Sequence, residues 1–361
     1  MFPESESIPI TTPAEAGPPS ELVEGTVVDG NRGQYRVETP DGVLLCTLRG
    51  KLRKELIHPI SHNVLQKARR VNTKARAPVA VGDRVRVLPM GAGKGIIEEI
   101  LARTAGAFTR EDADVGRVTS VAGIDQMVIV LAVRDPAPHL GLLDRFLVLA
   151  EAAEVRAVIC LNKLDLGLDP ALAERLDVYR ALGYPVILAS AETGMGLEAL
   201  RAELAGHTSA LLGPSGVGKS SLLNALEPGL WQRVSTVSSA THKGRHTTSS
   251  TRLVPLAGPG GGHLADTAGI RTLALGGAAA GRLDWCFREF RPYLGACYHA
   301  DCTHRSEPGC AVRAAVDLGA LDAERYHSYV RLYDQGGATS GRAWKDVVSS
   351  RSLAGPGELR L

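Results

Sequence analysis

Gly213-Pro214-Ser215-Gly216-Val217-Gly218-Lys219-Ser220 fits G-x-x-x-x-G-K-[ST], the loop that wraps the phosphates of a nucleotide. Its flanks agree with that reading. Ala210-Leu211-Leu212 reads as the end of a buried strand, and Ser221-Leu222-Leu223-Asn224-Ala225-Leu226 opens a helix. Such a loop turns several backbone N–H groups onto one anion, at the positive end of a helix. The glycines allow close approach of the backbone, because no Cβ intervenes. Lys219 is expected to reach the β- and γ-phosphates, and the Ser220 hydroxyl to ligate Mg²⁺. A Gly-rich turn ahead of a helix is the plainer alternative, and the strand and helix on either side count against it.

Around this loop, from about residue 105 to 283, apolar strands alternate with helical patterns, as in a mostly parallel sheet covered on both faces. Met127–Val133, Arg156–Leu161 and Pro185–Ala189 read as strands, and Leu143, Phe146, Leu147 and Ala150 mark one helix face. Asp169-Pro170 joins a capping side chain to a first-turn proline. Leu172, Leu176 and Tyr179 line the buried face of that helix, and Gly183 can end it. Ligands bind at the carboxyl ends of such strands.

Three loops there carry chemistry. In Asn162-Lys163-Leu164-Asp165 the carboxylate can accept both the N1–H and the 2-amino group of guanine. Adenine has no matching donors, and binding it would strand a buried carboxylate at about 1–3 kcal/mol or more. Asn162 is expected to hold the N7 edge and neighbouring loops, and the Lys163 stem to cover the base. Ser190-Ala191 offers a backbone N–H for the guanine O6. Asp266-Thr267-Ala268-Gly269 follows the strand-like Gly262–Ala265; Asp266 would hold Mg²⁺ through water and the Gly269 N–H would sense the γ-phosphate. Before it, Gly244-Arg245-His246-Thr247-Thr248 holds two threonines, either of which supplies a second hydroxyl for Mg²⁺. The surrounding Trp231–Thr251 reads as a loop that nucleotide orders.

In ordinary GTPases the phosphate loop comes first and N-K-x-D and S-A come last. Here N-K-L-D and S-A precede it. A circular permutation preserves the site, since sheet contacts need not follow chain order. It also makes the γ-phosphate sensor at Gly269 lead straight into the C-terminal segment.

Residues 21–104 read as a small closed β-barrel of the OB type, with strands at Gly25–Val28, Gln34–Glu38, Val43–Leu48, Asp83–Leu88 and Gly95–Ile100 and a hairpin at Asp41-Gly42. An SH3-like barrel fits the same pattern. Between the third and fourth strands, Arg49, Lys51, Arg53, Lys54, Lys67, Arg69, Arg70, Lys74 and Arg76 are opposed only by Glu55, which favours phosphate backbones. Tyr35 is the only aromatic there, too few for a base-stacking platform, so backbone and shape readout is expected.

In residues 284–336, Cys297, Cys302, His304 and Cys310 supply three thiolates and an imidazole, a closed tetrahedral shell for one structural Zn²⁺; His299 competes by proximity. Cys46, Cys160 and Cys286 read as small buried residues. Tyr326, Tyr329, Leu332 and Tyr333 mark one helix face, for packing or for a partner. Residues 1–20 and 337–361 read as flexible tails.

The combination G-P-S-G-V-G-K-S-S, N-K-L-D, G-R-H-T-T, D-T-A-G-I-R and the metal pattern resembles the circularly permuted ribosome small-subunit-dependent GTPase A family (RsgA/YjeQ type). The resemblance runs from about residue 21 to 336. It implies a multidomain α/β protein: an N-terminal OB-type β-barrel, a central circularly permuted P-loop GTPase domain and a C-terminal zinc-binding domain. It implies a monomeric cytoplasmic GTPase that binds GTP and GDP, docks on the small ribosomal subunit and its rRNA during late maturation, and turns over faster there. It selects Thr248 as the Mg²⁺ ligand and catalytic switch residue, selects His304 for zinc, and extends the nucleotide contacts over Gly213 to Ser221. Two departures stand out: Ala268 replaces the usual proline, and the basic stretch Lys54–Ala77 is long. Ile270 stands where many GTPases place a water-orienting glutamine, so unaided hydrolysis is expected to be slow and His246 is the candidate for positioning water.

The totals bound these readings. The 361 residues, 44% of them hydrophobic, suffice for two or three domains, and a net charge of +2 carries no global message. No apolar run approaches 18 residues, and Met1–Ser20 has neither the basic start nor the apolar core of a secretory signal. Two rival functions remain at this stage: an RNA-binding scaffold that holds nucleotide without turnover, and an ATP-driven P-loop enzyme.

Overall fold

The computed structural model describes residues 21–31, 33–50, 79–102, 106–111, 118–228, 253–258, 260–265 and 283–336. Both expected tails, Lys51 to Arg76 of the basic stretch, and the segment with His246, Thr247, Thr248, Asp266, Ala268, Gly269 and Ile270 lie outside the described residues.

Five strands close the N-terminal barrel: β1 Val23–Asn31, β2 Gln34–Thr39, β3 Gly42–Leu48, β4 Arg84–Gly91 and β5 Lys94–Ile100. β1 pairs antiparallel with both β2 and β4, and β3 pairs parallel with β5, so no edge is left open. Alternation in β2 sends Tyr35, Val37 and Thr39 inward. Tyr35 packs with Val27, Val37, Cys46, Val85, Val87 and Ile97, so it offers no exposed ring. The hairpin turns on Pro40-Asp41, one residue before the expected Asp41-Gly42, because Gly42 already pairs with Thr39 as the first residue of β3. Arg49 is not unopposed: Glu98 on β5 pairs with it.

A two-stranded ribbon, β6 Gly106–Glu111 and β7 Val118–Ile124, follows; its strands were not singled out in the sequence. The central sheet then runs β8 Gln126–Ala132, helix α1 Leu140–Ala152, β9 Arg156–Asn162, α2 Pro170–Ala181, β10 Val186–Leu188, α3 Leu197–Leu204, β11 Thr208–Leu212, α4 Lys219–Leu226, β12 Leu253–Pro255 and β13 His263–Ala265. Their order in the sheet is β10-β9-β8-β11-β13-β12, all parallel except the edge strand β12. Every residue of β8 is buried because helices cover both faces. Met127, Ile129 and Leu131 meet Leu143, Leu147, Leu172, Leu176 and Tyr179 of α1 and α2. Val128 and Val130 meet Leu200, Leu204, Leu222 and Leu226 of α3 and α4. Asp169 caps α2 by accepting the Ala171 N–H at 2.8 Å, with Pro170 at the first turn, as the sequence requires.

The C-terminal segment holds 3-10 turns at Asp284–Cys286 and Arg288–Tyr293, then α5 Ala311–Asp317 and α6 Ala323–Gly336. It packs on the outer side of α1, where Val148 and Ala152 join Phe287, Phe290, Tyr329 and Leu332. The helix thus buries two faces, where the periodicity shows one. Tyr326 and Tyr333 pack against this same core, so the tyrosine face of α6 is internal packing.

Ion pairs seal the contact. Arg325 is 1% exposed and donates to Asp144 at 2.6 Å and to Glu289 at 2.7 Å, while Tyr179 donates to Asp144 at 2.8 Å. Arg175 donates to both carboxylate oxygens of Asp322, at 2.7 and 2.9 Å. That hydrogen bond, opposed by partial burial, holds Asp322 below the usual carboxylate range. A depressed carboxylate adds stability above its unfolded-state value of about 3.9, and the contribution is lost as pH falls through the lower folded-state value. Asp322→Asn is expected to lower the Tm by about 2–4 °C at pH 7. The gap to wild type should narrow below about pH 4. Melting curves showing the same gap at pH 7 and pH 3 would exclude the ion pair as its source.

Candidate nucleotide site and metal cluster

The loop from Gly213 to Gly218 joins β11 to α4 at the carboxyl edge of the sheet. Gly213 has φ 148°, and a Cβ there would stand 2.1 Å from the Val130 carbonyl oxygen of β8. Gly218 has φ 91°, and a Cβ there would stand 2.3 Å from Asn162 Nδ2. Both glycines are therefore required by neighbouring strands as well as by any ligand. Lys219 begins α4, and its Nζ donates to the Gly213 and Pro214 carbonyls at 2.7 and 2.8 Å. Burial lowers its pKa. Ser220 and Ser221 are exposed in the first turn of α4, Val217 is buried, and Ser215 and Gly216 are exposed at the loop tip.

Asn162 ends β9 and is buried. Its Nδ2 donates to the Val217 carbonyl at 2.9 Å, and its Oδ1 accepts the Ala191 N–H at 3.1 Å. One amide thus ties the phosphate loop to the Ser190-Ala191 loop. Of the two N–H groups that Ser190-Ala191 offers for guanine O6, that of Ala191 donates to Asn162 and that of Ser190 to the Met195 carbonyl, so a base would have to share one of them. Ser190 is fully buried; its hydroxyl donates to Asp165 and accepts the Thr193 N–H at 3.1 Å. Asp165 sits in a 3-10 turn, Leu164–Leu166, whose entry residue Lys163 is left-handed at φ 63°. Gly218→Ala is expected to push the Asn162 amide off both its partners and to weaken nucleotide binding about tenfold or more, with the barrel intact. Titration with a fluorescent nucleotide checks this, and wild-type affinity would refute it.

One element was missed in the sequence. The loop after β8 approaches the phosphate loop: Pro136 Cδ lies 3.7 Å from the Cβ position of Gly216, Lys163 Nζ donates to the Asp135 carbonyl, and Arg134 donates to the Gly167 carbonyl at 3.2 Å. Its position at the carboxyl end of the central strand was the available signal.

In the C-terminal segment the ligand atoms of Cys297, Cys302, His304 and Cys310 all lie within 4.8 Å of one another, and together they could hold a metal ion. His304 Nδ1 is 3.4 Å from Cys297 Sγ and 3.5 Å from Cys310 Sγ, and those two sulfurs are 4.0 Å apart. The other ring nitrogen, Nε2, lies 3.8 Å from the Asp284 carboxylate, the outer partner that orients a ligating imidazole. Backbone N–H groups of Ala311 and Arg313 donate to Cys297 and Cys310. His299 is not in the cluster; its ring meets Tyr298 edge-on. α6 holds the ligand loop, since Tyr326 and Tyr329 donate to the carbonyls of His304 and Thr303 at 3.0 and 2.8 Å. Glu307 accepts the N–H groups of Thr303, Arg305 and Ser306. Nothing in the spacing of Asp284 or Glu307 marks them in the sequence.

A family model of the RsgA GTPase matches residues 100–276. The small ribosomal subunit biogenesis GTPase RsgA of Gemmatimonas aurantiaca is 45% identical over 315 residues, covering 86% of this chain and 96% of that protein. The protein of the same name from Moorella thermoacetica is 39% identical over 308 residues, covering 85% of this chain and 95% of the relative. Among solved structures, YjeQ from Thermotoga maritima superposes with a TM-score of 0.65 at 32% identity, covering 86% of this chain and 97% of its own. YloQ, described as a circularly permuted GTPase, does so with a TM-score of 0.63 at 28% identity, covering 86% and 94%. With relatives 45% and 39% identical over nearly their whole length, and a solved structure of the same type superposing over 86% of the residues, the chain belongs to the RsgA GTPase family.

Proposed function

We propose that this chain hydrolyses GTP to GDP and phosphate while assisting late maturation of the small ribosomal subunit, with rRNA contact and turnover stimulated by that subunit. The observation that carries the reading is the Asn162 amide, which joins the phosphate loop, the Asp165 turn and the Ser190-Ala191 loop at one sheet edge. The relatives' printed name supplies the ribosomal partner. Asp165, braced by Ser190, reads the guanine N1–H and 2-amino group, and Asn162, Lys163 and Ala191 frame the base. Backbone N–H groups from Gly213 to Ser221 and the Lys219 ammonium stabilise phosphate charge. Freed from the Gly213 and Pro214 carbonyls, that ammonium turns toward the β/γ oxygens. Ser220 and Thr248, with Asp266 through water, are the residues that would hold Mg²⁺, which supplies neutralisation of the β/γ-phosphate charge. Gly269 senses the γ-phosphate and His246 positions water.

Zn²⁺ is the metal that best fits the thiolate-rich cluster. Zn–S near 2.3 Å and Zn–N near 2.0–2.1 Å in a tetrahedron put sulfurs about 3.8 Å apart and sulfur about 3.5 Å from nitrogen. The separations of 4.0, 3.4 and 3.5 Å agree. Four protein ligands leave no position for water, so the role is structural.

Isolated small subunits are expected to raise GTP turnover of the wild type, while Ser220→Ala stays near background. Equal rates with and without subunits would defeat the ribosomal part. Nucleotide held without turnover, in single-turnover assays with subunits, would favour a scaffold.

A further inference from the structure

The short helix that carries Lys219 and Ser220 at its first turn is tied at its far end to the strands that lead to Asp266. α4 ends at Leu226, and its C-cap residue is Glu227. Arg201 on α3 donates to the Leu226 carbonyl, to Glu227 Oε1 at 3.1 Å and to the Ala257 carbonyl at 3.1 Å. Glu227 Oε1 also accepts the Ala257 N–H at 2.8 Å. Ala257 lies in the connection between β12 and β13, so one guanidinium and one carboxylate hold three elements together: α3, the end of the phosphate-loop helix and the β12–β13 hairpin. Both side chains are mostly shielded, at 29% and 15% exposure, which strengthens the charge-assisted hydrogen bonds.

The far ends of the two clamped elements are the ones that matter for the ligand. α4 has Ser220 in its first turn, and β13 ends at Ala265, the residue before Asp266. Eight residues at about 1.5 Å each make α4 about 12 Å long. A tilt of about 5° about its clamped end would shift Ser220 by about 1 Å, the scale of displacement that costs an active site up to about 10²-fold. Leu222 and Leu226 of α4 share an apolar cluster with Leu256 and Leu264 of the hairpin, a contact that can slide; Arg201 and Glu227 add the directional bonds that fix the angle. We infer that Arg201 and Glu227 are positioning residues: they fix the angle between α4 and the β12–β13 hairpin, and with it the placement of Ser220 relative to the end of β13 at Ala265, where the Mg²⁺ of bound GTP would be held. This inference rests on the nucleotide and Mg²⁺ reading given above.

The test uses the full chain with Glu227→Gln, Arg201→Met and Arg201→Lys. A fluorescent GDP analogue is titrated in EDTA and again in Mg²⁺, and kcat and KM for GTP are measured. Affinity in EDTA is expected to fall less than affinity in Mg²⁺, because the proposed guanine contacts lie on the β9 and β10 loops, which do not move with α4. The strengthening that Mg²⁺ gives to binding is expected to fall about tenfold, and kcat about tenfold to a hundredfold, with KM little changed. Arg201→Lys should recover part of both. Glu227→Gln keeps the side-chain shape and an oxygen for the Ala257 N–H, so it carries the test if Arg201→Met does not fold. A Mg²⁺ effect and a kcat both within twofold of wild type in Glu227→Gln, whatever its melting temperature, would overturn the inference; a larger loss supports it. If the wild type itself shows no Mg²⁺-strengthened binding of guanine nucleotide, it is the reading of the site that fails.

Discussion

Asp165→Asn should lower the affinity for GTP by about 10²-fold or more and raise that for xanthosine triphosphate. In the proposed site the carboxylate accepts two donors from guanine, and hydrogen bonds to a charged group are worth about 1.5–3 kcal/mol each. Losing both removes about 3–6 kcal/mol, and 1.4 kcal/mol is tenfold in affinity. An asparagine amide offers one acceptor and one donor, so it mismatches guanine and suits the 2-oxo group of xanthine. The neighbourhood sharpens the effect. Ser190, fully buried, directs its hydroxyl at Asp165, and Ser190 is in turn held by its own loop through Thr193 and the Met195 carbonyl. The carboxylate therefore does not have to be ordered when a base arrives. Competition binding with GTP, ATP and xanthosine triphosphate reads the outcome. An unchanged preference would remove the guanine contact, and a variant that prefers ATP would point to an adenine enzyme.

Arg325→Ala should cost about 3–5 kcal/mol of stability, the range for removing one partner from a buried ion pair. Asp144 and Glu289 would be left facing each other in a space that excludes water, with side-chain exposures of 4% and 6%. The guanidinium also lies 4.6 Å over the Phe287 ring and 5.5 Å over the Tyr179 ring, so packing is lost together with charge. The effect should extend past the C-terminal segment. α6 carries Arg325 toward α1 on one side and braces the metal-ligand loop through Tyr326 and Tyr329 on another. Chelator sensitivity of the folded protein should rise with the loss in Tm. Denaturant unfolding checks the first part, and the rate of metal release to a chromogenic chelator checks the second. A Tm change below about 2 °C would show that the buried pairs are replaceable. Combining Arg325→Met with Asp144→Leu should recover part of the loss, because one of the two stranded carboxylates is removed too.

Much of the architecture was legible in the order of residues. The five barrel strands, the parallel strands, the capped helix at Asp169 and the phosphate loop all rest on local rules: alternation, continuous apolar runs, a cap followed by proline, and glycines where no Cβ fits. The four residues that could hold a metal ion were legible for the same reason, since they fall within 14 consecutive residues, 297 to 310. What these patterns left open was mostly a matter of partners distant in the chain. Tyr35 is an aromatic that points into a barrel. Arg49 finds Glu98 across a parallel strand pair, and the hairpin turn shifts by one residue because Gly42 is already paired.

By itself the sequence set out the chemistry proposed for this protein: a loop of the phosphate-binding pattern, a carboxylate suited to guanine, three cysteines and a histidine that could share a metal ion, and the permuted order that makes them one recognisable system. Tertiary structure alone decided how those parts are held. Asn162 bridges loops 55 and 29 residues away, Arg325 is buried against a carboxylate 181 residues away, and Arg201 caps the helix that presents Ser220. A side chain's hydrogen-bonding capacity is a property of its type, but its partner is chosen by whichever strands and helices the core brings within about 3 Å.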